Sequence, residues 1–158
     1  MYTECSYEDI LKNIHNRAKR VSMCCKAQVG AEIYNPKYVA FGCNITMPGN
    51  CKREGCHRIK MYGDDAKSHR LPSDCYAIHA EVDAIATAAR TGESLYGATI
   101  FVTRYPCEAC ARAIVSAGIK EVVYGGIEEI SEQTKEIFDN YTVEVTYIPI
   151  AWGGDTIE

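Results

Sequence analysis

The sequence predicts an α/β fold, a mixed sheet carrying helices on its faces. Two observations carry that expectation: short β-branched or aromatic runs alternate with segments of helical periodicity, and Gly or Pro punctuates the changes. A third is composition. With 158 residues, 47% hydrophobic and 24% charged, the chain can build a core without disulfide staples, and no apolar run reaches the roughly 20 residues of a membrane span.

The elements follow in order. Ser6 to Asp9 can cap a helix start, and Ile10, Leu11, Ile14, Ala18 and Val21 then recur at helical spacing, giving a helix from Tyr7 to about Met23. His15, on that helix, reads as a surface residue. Val29 to Ile33 and Tyr38 to Gly42 read as a hairpin turning at Asn35-Pro36. From about 43 to 75 periodicity disappears and Gly, Pro, Cys and charge take over, which reads as a long inserted loop needing something to organise it. A helix over His79 to Arg90, a strand over Thr99 to Thr103 and a helix from Cys107 to about Ala117, ended by Gly118, come next. Glu121 to Tyr124, helix Ser131 to Asn140 and Thr142 to Ile148 complete the alternation. The Trp152-Gly153-Gly154-Asp155 segment suggests no chemistry.

Charge narrows the partners. A net charge of −4 argues against a protein that grips nucleic-acid backbone, because such binding neutralises several phosphates. Residues 51–70 nevertheless hold six basic against three acidic residues, suited either to a solvated loop or to a rim attracting a small phosphorylated ligand. Met1 to Asp9 lacks the basic and apolar segments of a secretory signal, so a cytoplasmic location is expected. Nine cysteines then read as metal ligands or buried thiols, not as a disulfide framework.

The chemistry concentrates in His79-Ala80-Glu81 and Pro106-Cys107-Glu108-Ala109-Cys110. His79, Cys107 and Cys110 supply three zinc ligands and leave a fourth position for water, whose pKa such a metal lowers to about 7. Glu81 is placed to shuttle protons. Alone, Cys107-Glu108-Ala109-Cys110 could be a redox or structural-metal pair. Together the two motifs match H-x-E followed by P-C-x-x-C, the signature of the zinc nucleobase deaminases. Water would attack an amino-bearing ring carbon and ammonia would leave.

Further stretches extend this likeness: Val29-Gly30-Ala31, Gly42-Cys43-Asn44, His79 to Ile85, Thr103 to Cys107 and Ala117 to Val122. Over about Ser22 to Gly125 the chain resembles the deoxycytidylate (dCMP) deaminase family of the zinc-dependent cytidine deaminase-like superfamily. The resemblance implies a three-layer α/β/α sandwich around a five-stranded mixed sheet, with residues 1–158 forming one deaminase domain interrupted by the 43–75 insert. It implies conversion of deoxycytidine monophosphate to deoxyuridine monophosphate, with Glu81 as proton shuttle and Asn44 contacting the sugar. It also implies a second, structural zinc on Cys24, Cys51, Cys56 and Cys75, where His69, His57 or Cys25 could replace one ligand. Cys5 and Cys43 are expected to be metal-free. Self-association is expected as well, since members of this branch are often hexamers.

Two positions depart from the family pattern: Gly42-Cys43-Asn44-Ile45 stands where Gly-Tyr-Asn-Gly is common, and Asp83 where asparagine is common. They keep open a deaminase of another nucleoside, a nucleobase or a base in nucleic acid. A non-catalytic zinc protein is the remaining alternative, and intact Glu81 argues against it. Arg53, Arg58, Arg70 and Arg104 are the candidate phosphate contacts.

Overall fold

The computed structural model describes residues 5–71, 73–129 and 131–153. Helix α1 (Tyr7–Val21) opens at Ser6, whose hydroxyl accepts the Asp9 backbone N–H at 3.1 Å, and it buries Leu11, Ile14 and Ala18. The hairpin β1 (Gly30–Asn35) and β2 (Tyr38–Cys43) turns where the Asn35 side-chain oxygen accepts the Lys37 N–H. After the insert come α4 (Ala80–Thr91), β5 (Thr99–Val102), α5 (Glu108–Ser116), β6 (Glu121–Gly126), α6 (Glu132–Asn140) and β7 (Glu144–Pro149).

The sheet is five-stranded and mixed, in the order β2-β1-β5-β6-β7. β1 is antiparallel to both β2 and β5, whereas β5, β6 and β7 run parallel. Neighbouring residues point to opposite faces of a strand, and two cores result. Ile33, Ile100, Val102 and Val122 meet α4, α5 and α6 through Ala84, Ala88, Ile114 and Phe138. Phe101 and Val123 face the other way, against Leu11 and Ile14 of α1, with Ile150 and Trp152 packed alongside. This is the three-layer α/β/α sandwich.

Helix α4 lies unusually close to the sheet. Ala80, Ala84 and Ala88 recur every fourth residue on one face and are fully buried. Opposite them is Gly42, where an added Cβ would stand 2.2 Å from the Ala84 nitrogen and 2.3 Å from the Ala80 oxygen. Small residues on both sides allow the approach, which fixes the start of α4 beside the end of β2.

Two readings need correcting. The 43–75 stretch, read as a long loop, has short elements of its own: β3 (Ile45–Thr46), α2 (Cys51–Glu54), α3 (His57–Tyr62) and a 3-10 turn (Gly63–Lys67), with β4 (Ala77–Ile78) just beyond it. β3 pairs with β4, and Met47 N–H donates to Tyr76 O, so the excursion closes on itself. Its helices are too short to show an apolar period, and polar contacts organise it. His15 is buried, not superficial, and stacks on Trp152 with ring centroids 4.3 Å apart. No helix among the described residues is long and apolar enough to cross a membrane.

Candidate metal centre and active site

His79 and Cys107 are both N-cap residues, of α4 and α5 respectively, and neither side chain caps its own helix. Both are therefore free to face outward from a helix start, where the dipole favours thiolate. Cys110, one turn into α5, lies on the same side. His79 Nδ1 stands 3.4 Å from Cys107 Sγ and 3.4 Å from Cys110 Sγ. All three donor atoms fall within 4.8 Å of one another. Tetrahedral zinc, with Zn–N of about 2.0–2.1 Å and Zn–S of about 2.3 Å, spans an N···S edge of about 3.6 Å, so these donors fit it.

The protons tell the same story. The Cys107 thiol is pulled down to about 3, first by hydrogen bonding from Cys110 and then from His79. Cys110 is pushed up by that same bond, by burial and by the Glu81 carboxylate, and His79 is raised by its bond to Cys107. One cation can take the place of these shared protons. Glu81 is 4% exposed, and burial raises its carboxyl pKa despite opposing backbone hydrogen bonding. It also engages Cys110, which puts it beside the donor set.

Other expected residues sit close by in different settings. Asn44 is buried, and its side-chain oxygen accepts from Ser22 Oγ at 2.6 Å and Val29 N–H at 2.9 Å. Its amide nitrogen donates to Ala27 O. Asp83 Oδ2 accepts the Cys43 N–H at 3.1 Å. Arg104 pairs with Glu129 at 3.4 Å, and its charge is felt by His79. Arg70 donates to Lys67 O, and Arg58 turns inward to Ala66 O and His69 O.

Cys24, Cys51, Cys56 and Cys75 line one small cavity of about 20 Å³, shared with Thr46, His57 and Arg58. Their donor atoms do not converge as the first set does; among the described residues only His79, Cys107 and Cys110 close into such a group. Burial would raise the Cys56 thiol, but backbone N–H groups of Ile59 and Arg58 and the Arg58 guanidinium outweigh it and lower the pKa. His57 stacks on Tyr76 and His69 on Tyr62, so both alternate ligands have engaged rings. Cys5 and Cys25 are exposed and Cys43 is buried. A larger cavity of about 390 Å³ opens between Pro48, Glu54, His57, Lys60 and Tyr76, and none of His79, Glu81, Cys107 and Cys110 lines it.

Sequence patterns did not disclose the Ser22, Ala27 and Val29 partners of Asn44, nor Trp152, whose Nε1 donates to Thr103 O ahead of the Cys107 loop. Both depend on contacts between distant segments. No local spacing encodes them.

A three-layer α/β/α fold with an open His-Cys-Cys donor set and a buried carboxylate on the first turn of α4 defines a zinc-dependent deaminase-type centre. The chain belongs to the cytidine and deoxycytidylate deaminase family, because residues 5–126 match the model of its zinc-binding region. It is 34% identical over 132 residues to ComE operon protein 2 of Bacillus subtilis (strain 168), covering 82% of this chain and 64% of that one. It is 32% identical over 127 residues to the deoxycytidylate deaminase of Mycobacterium phage D29, covering 75% and 93%. The chain thus spans less than two thirds of the Bacillus relative and about half the length of several other deoxycytidylate deaminases. Its fold is also that of the dCMP deaminase from cyanophage S-TIM5, solved with dCMP and dUMP, at a TM-score of 0.68 and 24% identity over 94% of this chain and all of that one.

Proposed function

We propose that this protein hydrolyses deoxycytidine monophosphate to deoxyuridine monophosphate and ammonia. The observation that carries the reading is the buried Glu81 carboxylate beside the converged His79, Cys107 and Cys110 donors. Those three residues hold the catalytic zinc, which when bound acidifies water to about pKa 7. Glu81 accepts the proton released as water adds to C4 of the cytosine ring, passes it to N3, and then protonates the departing amine. Oxygen enters from water, nitrogen leaves as ammonia, and the carbon becomes a carbonyl. Burial raises the pKa of the Glu81 carboxyl, which makes its carboxylate a stronger proton acceptor for the first step.

The substrate assignment draws on the relatives' names and on the dCMP and dUMP bound to the cyanophage enzyme. Asn44 has three of its four hydrogen-bonding positions engaged internally, and the remaining amide N–H is the one that meets the sugar. The chain forms a single deaminase domain, works in the cytoplasm and self-associates. Cys24, Cys51, Cys56 and Cys75 bind a second zinc, a reading supported by the one small cavity that all four line.

Ammonia release by zinc-loaded protein tests the function, with deoxycytidine monophosphate set beside deoxycytidine, cytidine monophosphate, cytosine and guanine. Preference for the deoxynucleotide is expected. Turnover of another compound in its absence overturns the substrate while leaving Glu81 and its role in place.

A further inference from the structure

We propose that Arg58 is the residue that holds the second zinc's thiolates in place, its guanidinium Nε donating to the sulfur of Cys56 and offsetting the negative charge of the four cysteines. The inference rests on the second-zinc reading above. Arg58 Nε is buried without a hydrogen-bond partner, and it stands alone in that condition among the buried side-chain nitrogens and oxygens described. Native structures rarely leave such a donor unmatched, so the missing acceptor calls for an explanation.

The guanidinium cannot simply swing out to water. One of its terminal nitrogens, Nη1, donates to Ala66 O at 3.1 Å and to His69 O at 3.3 Å, which fixes the direction of the whole planar group. Arg58 lines the same small cavity as Cys24, Cys51, Cys56 and Cys75. No carboxylate lines that cavity. Two residues with hydroxyls line it: Thr46, whose Oγ1 is already donating to Gly49 O and accepting from the Cys51 N–H, and Tyr76. His57, the remaining polar ring, stacks on Tyr76. Four of the residues lining the cavity are cysteines, and one of them, Cys56, stands two residues before Arg58 in the chain. A thiol accepts weakly, whereas a thiolate accepts strongly, and metal binding is what converts one to the other.

Charge leads to the same residue. Four thiolates around a divalent cation carry two net negative charges, and two cationic residues, Lys26 and Arg58, line the cavity, of which Arg58 is the one whose guanidinium is held inward by two carbonyls. The arrangement also links the metal to the rest of the insert. The carbonyls that grip Arg58 belong to the segment in which His69 stacks on Tyr62, and Tyr62 in turn donates to Asp74, the neighbour of Cys75.

Zinc content, zinc release to a chelator and the spectrum of the cobalt-substituted protein test this on the full chain. The unaltered protein should hold about two zinc ions per chain and Cys75→Ser about one. Arg58→Met should weaken retention of the second ion about 10- to 100-fold while keeping the first, and Arg58→Lys should recover most of the loss. At saturating cobalt, Arg58→Met should also move the sulfur-to-metal charge-transfer band to lower energy, a change that lost packing alone would not produce. Release rates and bands identical to the unaltered protein would overturn the role of Arg58. One zinc per chain in both the unaltered protein and Cys75→Ser would overturn the second zinc itself, and the proposal with it. Circular dichroism of each variant separates either result from failure to fold.

Discussion

Asp83 Oδ2 accepts the backbone N–H of Cys43 at 3.1 Å, joining the end of β2 to the first turn of α4. That bond ties the segment carrying Asn44 to the helix carrying Glu81. The bond does not require the acidic residue at this position, because an asparagine amide oxygen can accept the same N–H. Asp83→Asn should therefore keep both stability and substrate preference. Asp83→Ala, which leaves the partly buried N–H unmatched, should cost about 1–3 kcal/mol. Urea unfolding with the substrate panel decides it: a changed preference in Asp83→Asn would make the carboxylate a specificity determinant.

Gly42 and Gly49 make a matched pair of tests for the close approach of β2 and α4. A Cβ at Gly42 would meet helix backbone at 2.2 and 2.3 Å, which cannot give way without displacing α4. At Gly49 the first obstacle is the Glu54 carboxylate at 2.7 Å, the end of a flexible and exposed side chain. Gly42→Ala should lose about 3 kcal/mol or more, whereas Gly49→Ala should stay within about 1 kcal/mol. Equal denaturation midpoints would show that the helix can shift at little cost.

The contrast between these glycines also marks what the sequence could reveal. The helix starts at His79 and Cys107 were legible because cap position, alanine spacing and Pro106 are local signals, and the donors' convergence followed from two matching helix starts. The hairpin and parallel strands were legible from β-branched runs. The insert was not, since its order comes from the short β3–β4 pairing, the grip of Arg58 on two carbonyls and the stacking of His69 on Tyr62. His15 was misread for a similar reason: its partner ring, Trp152, arrives from the far end of the described chain. Asn44 was found by its resemblance, but its three internal bonds depend on a turn between α1 and β1 that has no periodic signature.

Glu81→Gln should separate metal binding from turnover. The amide preserves the shape of the carboxylate but cannot take a proton from water, so turnover should fall by about 10²–10⁴-fold or more. Zinc content should stay at the level of the unaltered protein, because the converged donor set is His79, Cys107 and Cys110. Parallel measurement of bound zinc and ammonia release gives the answer. Loss of zinc together with activity would make Glu81 a contributor to the metal site instead of a proton carrier.

Tyr124 should make the fold sensitive to alkali. It lies 3% exposed on β6, edge-on to Tyr105 at 4.9 Å and tilted against Tyr147 at 5.0 Å. Burial, and then the charge of Glu128, push its phenol up to about 12. The unfolded chain releases this proton near pH 10, before the folded chain does. The stabilisation is therefore complete below about pH 10 and is lost as pH rises toward about 12, at a limiting slope of about 1.4 kcal/mol per pH unit. Tyr34, raised by burial and by its bond to Glu32, acts in the same direction. Tyr124→Phe keeps the ring and removes one titration, so its stability should fall less steeply than that of the unaltered protein between about pH 9 and 11. Urea midpoints across that range measure the two slopes. Superimposable slopes would mean that the Tyr124 phenol ionises as readily inside the folded chain as outside it, and that its burial has no hold on the proton.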